Sequence, residues 1–205
     1  MILEVLEVGS FMSNCYLIGC PETLEGVVID PGAEGKRIIK KAAELRLKIK
    51  YIINTHGHID HIGANSIVKE AFGAPLMAHQ ADVSLYRSSN AGMALFMNTG
   101  KVMPPDYLLK GNEQLRMGTL TLNVLETPGH TPGSVTLDVA GALFCGDTLF
   151  AGSIGRTDLP GGSFRQIIDS IKNRLLVYPD NTNAFPGHGP STTIGEERRY
   201  NPFLT

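Results

Sequence analysis

The segment from Thr55 to His61 reads Thr-His-Gly-His-Ile-Asp-His and holds three of the six histidines of the chain together with one aspartate. Imidazole and carboxylate groups are the preferred ligands of Zn²⁺ and also suit Fe and Mn. In an extended turn His56 and His58 point the same way, whereas a helix that begins after them turns Asp60 and His61 toward a second point. Such dense clustering indicates a metal site rather than polar residues scattered over a surface loop.

Three further candidates lie in glycine turns that follow strand-like runs. His130 lies in Pro-Gly-His-Thr, His188 in Pro-Gly-His-Gly and Asp147 in Cys-Gly-Asp-Thr. Glycine lets the backbone fold closely around a bound ion, and the repeated placement of a loop after a strand predicts that these side chains join the first cluster. His79 lacks this glycine setting and starts a predicted helix, so we interpret it as a cap or a surface residue.

The predicted elements place these residues at the ends of strands. Strands are expected over 2–8, 15–18, 26–30, 49–54, 75–78, 119–125, 134–139, 142–144 and 183–185. Helices are expected over 33–47, 64–72 and 163–176, the last with a capping box formed by Ser163 and Gln166. Because strands and helices alternate without a clear boundary, we predict one α/β domain over residues 1–205, with its site at the carboxyl ends of strands.

The composition argues against several classes of protein. The 205 residues carry 18 Lys plus Arg against 20 Asp plus Glu, a net charge of −2, so we expect neither nucleic acid nor an anionic membrane as a partner. No apolar run approaches the roughly 20 residues that span a bilayer. Acidic residues within Met1–Glu7 argue against a signal peptide, and we expect a cytoplasmic protein. Three cysteines, Cys15, Cys20 and Cys145, do not suggest a disulfide framework.

The order HxHxDH, GH, GD and GHG, preceded by Val-Ile-Asp-Pro-Gly at 28–32, resembles the metallo-β-lactamase superfamily over nearly the whole chain. The resemblance implies a four-layer αβ/βα sandwich with the metals at one edge. It also implies two divalent ions, Zn²⁺ by preference with Fe or Mn as alternatives. Seven ligands follow from it: His56, His58 and His130 for one ion, Asp60, His61 and His188 for the other, and Asp147 as the bridge. Asp30 would hold the histidine loop in place.

Three other segments, 146–158, 185–191 and 201–204, resemble the short bacterial glyoxalase II-like hydrolases, which lack a helical glutathione-binding domain. This resemblance implies a thioesterase that cleaves S-lactoylglutathione or a related small glutathione thioester, with Asp60 taking up a proton. Persulfide dioxygenases, which use a single iron, share the Gly-Arg-Thr-Asp segment at 155–158 and remain an alternative, as do lactone hydrolases. A secreted β-lactamase fits less well, because that branch normally lacks the bridging aspartate.

Two features have competing interpretations, and the oligomeric state stays open. Arg156 could bind a glutathione carboxylate, but Asp158 lies two positions away, and we expect the pair to hold the shape of the loop. The segment 88–110 contains three of the seven methionines and is either a pliable lid over the substrate or a short helix on the sheet.

Overall fold

Two six-stranded sheets form the centre of the computed structural model, which describes residues 1–88 and 102–204. The first sheet contains, in spatial order, β1 (Ile2–Val8), β2 (Ser13–Gly19), β3 (Glu25–Ile29), β4 (Lys48–Ile53), β5 (Leu76–His79) and β6 (Tyr107–Leu109). The second contains, from one edge to the other, β7 (Gln114–Met117), β8 (Leu120–Glu126), β9 (Val135–Val139), β10 (Ala142–Gly146), β13 (Asn183–Pro186) and β14 (Thr192–Thr193). A separate hairpin is formed by β11 (Leu149–Phe150) and β12 (Ser153–Ile154).

Helices flank the sheets and connect their parallel strands. They are α1 (Gly35–Glu44), α2 (Ile59–Ile62), α3 (Asn65–Phe72), α4 (Val83–Ser88), α5 (Phe164–Ser170) and α6 (Ile194–Tyr200). A 3₁₀ turn covers Gln80–Asp82, and a π-helical turn over Ile171–Leu175 continues α5. In the parallel pairs β3–β4 and β10–β13, the crossover passes through α1 and α5 respectively.

Three hydrophobic clusters define four layers. The faces of the two sheets that meet each other bury one cluster, which includes Ile18, Ile29, Leu137 and Phe144. The outer face of the first sheet packs against α1 and α3 through Leu17, Ile38, Ile52 and Val68. The outer face of the second sheet packs against α5 and the π-helical turn through Cys145, Ile167, Ile171 and Ala184. Adjacent residues of one strand serve opposite faces, as the pleat requires, and the predicted αβ/βα sandwich is confirmed.

The structure differs from the sequence prediction in one helix and in one segment. The helix expected over 33–47 is shorter, because Glu34 and Arg46 adopt left-handed backbone angles, with φ of 53° and 56°. Glu34 instead accepts a hydrogen bond from the amide of Gly9 through its carboxylate, at 2.9 Å. Within the segment 88–110, residues Tyr107–Leu109 form the edge strand β6 rather than a lid or a helix. The interpretation of 89–101, including Met93 and Met97, lies outside the described residues.

The three cysteines are buried free thiols, and Cys15 and Cys145 lie inside strands as expected. Among residues 1–88 and 102–204, no helix is long and apolar enough to cross a bilayer.

Candidate metal centre

The loop after β4 carries four of the predicted ligands. His58 has extended backbone angles, φ −73° and ψ 148°, and caps the short helix α2. The chain is therefore extended through His56 and His58 and becomes helical at Asp60 and His61. The donor atoms of His56 and His58 lie in one group and those of Asp60 and His61 in another, while His56 and His61 also form a third group with Asp30. That the two pairs face different points stays a prediction.

The first donor group consists of His56, His58 and His130, whose donor atoms lie within 4.8 Å of one another. His58 Nδ1 is 2.9 Å from His130 Nε2. His56 and His58 follow β4 of the first sheet, whereas His130 follows β8 of the second. This group therefore forms where the two sheets meet at one edge of the sandwich.

The second donor group consists of Asp60, His61 and His188, with the same 4.8 Å limit between donor atoms. His61 Nε2 is 3.2 Å from His188 Nε2, and Asp60 Oδ2 is 3.2 Å from His188 Nε2 and 3.5 Å from His61 Nε2. His188 follows β13, so this group also joins residues of both sheets.

Asp147 lies between the two donor groups. Its Oδ1 is 3.5 Å from His61 Nε2, and its Oδ2 is 3.6 Å from His130 Nε2. The structure thus brings all seven predicted ligand residues together at one edge of the sandwich. The carboxylate of Asp147 contacts donor atoms of both groups.

Hydrogen bonds on the far side of the rings orient the histidines. Three rings use Nδ1 for this purpose: His61 toward Asp30 Oδ2 at 3.0 Å, His130 toward the carbonyl of Arg156 at 2.8 Å, and His188 toward the carbonyl of Phe11 at 3.0 Å. A carbonyl oxygen only accepts hydrogen bonds, so Nδ1 of His130 and His188 carries a proton. In the neutral rings, the Nε2 lone pairs therefore point into the site, which is the arrangement that metal-binding histidines adopt.

Two buried polar atoms show that this donor set fits a cation. His56 Nε2 and Asp147 Oδ1 are buried and have no hydrogen-bond partner among residues 1–88 and 102–204. Leaving such an atom unsatisfied costs about 1–3 kcal/mol, and more for a charged group. Both atoms point into the donor groups, where a divalent ion would satisfy them. The histidine nitrogens and carboxylate oxygens are also the chemical types that Zn²⁺, Fe and Mn accept.

The two donor groups differ in their charge. Burial, followed by the neighbouring His130, lowers the pKa of His58 to about 4, and burial with the surrounding histidines lowers the pKa of His56 as well. Burial also lowers the pKa of His61, but the charges of Asp147 and Asp60 outweigh it and raise that pKa to about 10. For Asp60, burial raises the pKa, whereas His61 and His188 lower it by more, so this carboxylate stays ionised. Two imidazoles of the first group, those of His56 and His58, are therefore neutral near pH 7, whereas the second group is rich in charge.

Asp30 supports the histidine loop, as the resemblance implied. Its Oδ1 accepts a hydrogen bond from the amide of Thr55 at 2.7 Å, and its Oδ2 accepts one from the Thr55 hydroxyl at 2.6 Å while contacting His61 Nδ1. His79 lies outside both donor groups. Its Nδ1 accepts a hydrogen bond from the Ala81 amide at 3.3 Å, so its interpretation as a cap is confirmed.

Arg156 forms a two-pronged ion pair with Asp158. Its Nε and Nη2 donate to the two carboxylate oxygens at 2.8 Å each. The guanidinium face suited to a carboxylate is therefore already engaged within the loop. Because the carbonyl of Arg156 also orients His130, this geometry favours the interpretation that the pair shapes the loop.

The sequence analysis missed two contributions to the site. The β1–β2 hairpin supplies the carbonyl of Phe11 to His188 and places Ser13 Oγ 3.5 Å from Asp60 Oδ2. The carboxylate of Asp82 bonds to both loops that carry the first donor group. Neither contribution has a local sequence pattern, because each depends on contacts between distant parts of the chain.

Comparison with known proteins agrees with this architecture. Hydroxyacylglutathione hydrolase GloC of Haemophilus influenzae is 37% identical over 209 residues, which cover 100% of this chain and 98% of that protein. The crystal structure of the BLEG-1 B3 metallo-beta-lactamase matches with a TM-score of 0.91 and 36% identity over 100% of both chains. ETHE1 from Myxococcus xanthus matches with a TM-score of 0.84 and 31% identity over 98% of this chain and 84% of its own. The family model of the metallo-beta-lactamase superfamily matches residues 8–188, and the chain belongs to this superfamily.

Proposed function

We propose that the chain is a hydrolase that uses two divalent metal ions to cleave glutathione thioesters such as S-lactoylglutathione. The observation that carries the proposal is the position of Asp147, whose carboxylate lies 3.6 Å from a donor atom of the first group and 3.5 and 3.7 Å from donor atoms of the second. A single-ion site would need only one of the groups. The similarity to the relative named hydroxyacylglutathione hydrolase supports the substrate class.

The site is open on one side. His56, His61 and His130 are buried, whereas the side chains of Asp147, Asp60 and His188 keep 11%, 19% and 28% of their surface exposed. A substrate carbonyl can therefore approach from the side of these three residues, while the buried histidines hold the donor groups from behind.

Divalent ions held by the two donor groups would supply a water of lowered pKa, near 7, and would polarise a carbonyl oxygen. Asp60 is the residue that we assign to proton transfer. Its side chain keeps 19% of its surface exposed on the open side of the site, and its Oδ2 lies 3.2 Å from His188 Nε2, next to the donor atoms of the second group. It is therefore placed to accept the proton that the attacking water releases. The leaving thiolate has a conjugate acid of pKa near 8.5, so departure requires no strong general acid.

A persulfide dioxygenase is the second candidate, because ETHE1 is similar over almost the whole chain. Such an enzyme uses one iron held by two histidines and an aspartate. The first donor group together with Asp147 contains those residue types, so the two candidates differ in whether the second group also takes part.

Activity in the presence and absence of oxygen separates the candidates. The purified protein is given S-lactoylglutathione or glutathione persulfide, with a β-lactam as a third substrate because of the similarity to BLEG-1. We expect S-lactoylglutathione to yield lactate and glutathione at equal rates in air and under nitrogen, faster than either other substrate reacts. Oxygen uptake with the persulfide that far exceeds thioester cleavage would overturn the proposal, and so would β-lactam cleavage that far exceeds it.

A further inference from the structure

We propose that Asp82 is a positioning residue that locks together the two loops of the first donor group and thereby sets the metal affinity of that group. The carboxylate is fully buried. Its Oδ2 accepts hydrogen bonds from the amide of Gly57 at 2.9 Å and from the hydroxyl of Thr131 at 2.7 Å. Its Oδ1 accepts one from the amide of Gly133 at 2.7 Å.

These three donors come from different sheets. Gly57 lies between His56 and His58 in the loop after β4, whereas Thr131 and Gly133 follow His130 in the loop after β8. A single buried carboxylate therefore connects the loop of two donors to the loop of the third. Hydrogen bonds to a charged acceptor are about twice as strong as those between neutral groups, so the connection resists separation of the loops.

Two glycines make this close approach feasible. A Cβ at Gly133 would lie 2.7 Å from Asp82 Cγ, and a Cβ at Gly57 would lie 2.8 Å from Cβ of Leu85. Both distances are shorter than side chains tolerate, so any larger residue would force these loops away from the segment that carries Asp82. Gly57 and Gly133 therefore allow the two loops to pack closely against the segment that carries Asp82.

The second donor group has separate supports. Asp30 holds the ring of His61, and Asn54 Nδ2 donates to the carbonyl of His61 at 3.0 Å. His188 is held by the carbonyl of Phe11. Loss of Asp82 is therefore expected to loosen the first group while leaving the second group in place.

The inference rests on the proposed two-ion site and is tested by metal affinity rather than by turnover. The metal-free wild type, Asp82→Asn and Glu197→Gln are each titrated with Zn²⁺ against a chelator of known affinity. Glu197 is the matched control, because it is also a buried carboxylate with three kinds of donor, the Gly152 amide, the Thr192 hydroxyl and the Asn201 amide group. Its donors belong to neither loop of the first group.

We expect two ions per wild-type chain. In Asp82→Asn one of the two affinities should fall about 10–100-fold, the usual effect of removing a partner that orients metal ligands, and the other should stay unchanged. Glu197→Gln should lose stability but keep both affinities. Unchanged affinities in Asp82→Asn would overturn the inference, and so would equal losses in both variants.

A milder variant covers the case in which Asp82→Asn does not fold. Thr131→Val keeps the shape of the side chain but removes its 2.7 Å hydrogen bond to Asp82. A smaller weakening of the same single affinity supports the inference, and unchanged affinities contradict it. If the wild type itself binds fewer than two ions, the proposed function fails. Normal binding by a two-ion wild type and by these variants would refute only the role of Asp82.

Discussion

His61 Nε2 lies 3.2 Å from His188 Nε2, while the Nδ1 atoms of both rings are engaged on the far side by Asp30 and by the carbonyl of Phe11. Two neutral rings held this way would direct lone pairs at each other, so a proton or a metal ion has to lie between them. The pKa of His61, raised to about 10 by Asp147 and Asp60 against the effect of burial, shows that this place favours positive charge.

The central substitutions are His58→Ala in the first donor group and Asp147→Asn between the groups. Each removes an inward-facing donor, so we expect loss of activity and of at least one bound ion per chain. His79→Ala is the control, because it removes the 3.3 Å cap on the Ala81 amide and the 3.1 Å contact with Glu126 Oε1 but no donor of either group, at a cost of about 1 kcal/mol in stability for the cap. Metal analysis of the purified variants measures the number of ions bound per chain. Loss of an ion from His79→Ala but not from His58→Ala would show that the ligands are assigned wrongly.

Asp30→Asn tests the support of the second donor group. Asp30 has a left-handed φ of 50°, which asparagine also tolerates, so the backbone should be retained. The amide can no longer accept from Thr55 and His61 together, and we expect metal affinity at one site to fall about 10–100-fold. Chelator competition measures this change. An affinity equal to that of the wild type would mean that the Asp30 carboxylate does not orient His61.

The pH dependence of metal binding should differ between the two donor groups. The raised pKa of His61, about 10, means that an ion binding to the second group displaces a proton at neutral pH, so its affinity should rise with pH by up to about tenfold per unit for each proton displaced. The lowered pKa values of His56 and of His58, the latter about 4, leave little such competition at these two ligands above pH 6. Calorimetric titrations in buffers of different ionisation enthalpy count the released protons. Two affinities with the same pH dependence would disagree with this account.

Gly187→Ala tests how closely the backbone packs on the carboxylate of Asp147. A Cβ at Gly187 would lie in severe overlap with Asp147 Oδ1 and 2.8 Å from His61 Cε1, so we expect metal binding and activity to be lost. Gly189→Ala is a matched control two residues away. Beyond its two chain neighbours, no heavy atom of the described part of the chain lies within 4 Å of its added Cβ, and its positive φ of 72° opposes the change by about 1–2 kcal/mol. Both variants can be compared by thermal unfolding and metal content, and equal metal content in the two would contradict the packing argument.

The sequence predicted the residues of the site better than it predicted their supports. His56, His58, Asp60 and His61 are close in sequence, so the motif that follows β4 by itself brings them to one site. Asp82 could not be found this way, because nothing near it marks a buried carboxylate whose donors lie 25 to 51 residues away. Helix ends failed for a similar reason, since Glu34 leaves the helical conformation while its side chain accepts a hydrogen bond from the distant Gly9 amide.

The number of ions needed for turnover tests the central claim most directly. The protein is stripped with a chelator and titrated anaerobically with Zn²⁺, and in parallel with Fe²⁺ and Mn²⁺, while S-lactoylglutathione cleavage is followed. Because Asp147 contacts both donor groups, we predict that activity with the effective metal continues to rise until two ions per chain are bound. Full activity at one ion per chain, with no further change on adding the second, would contradict the account.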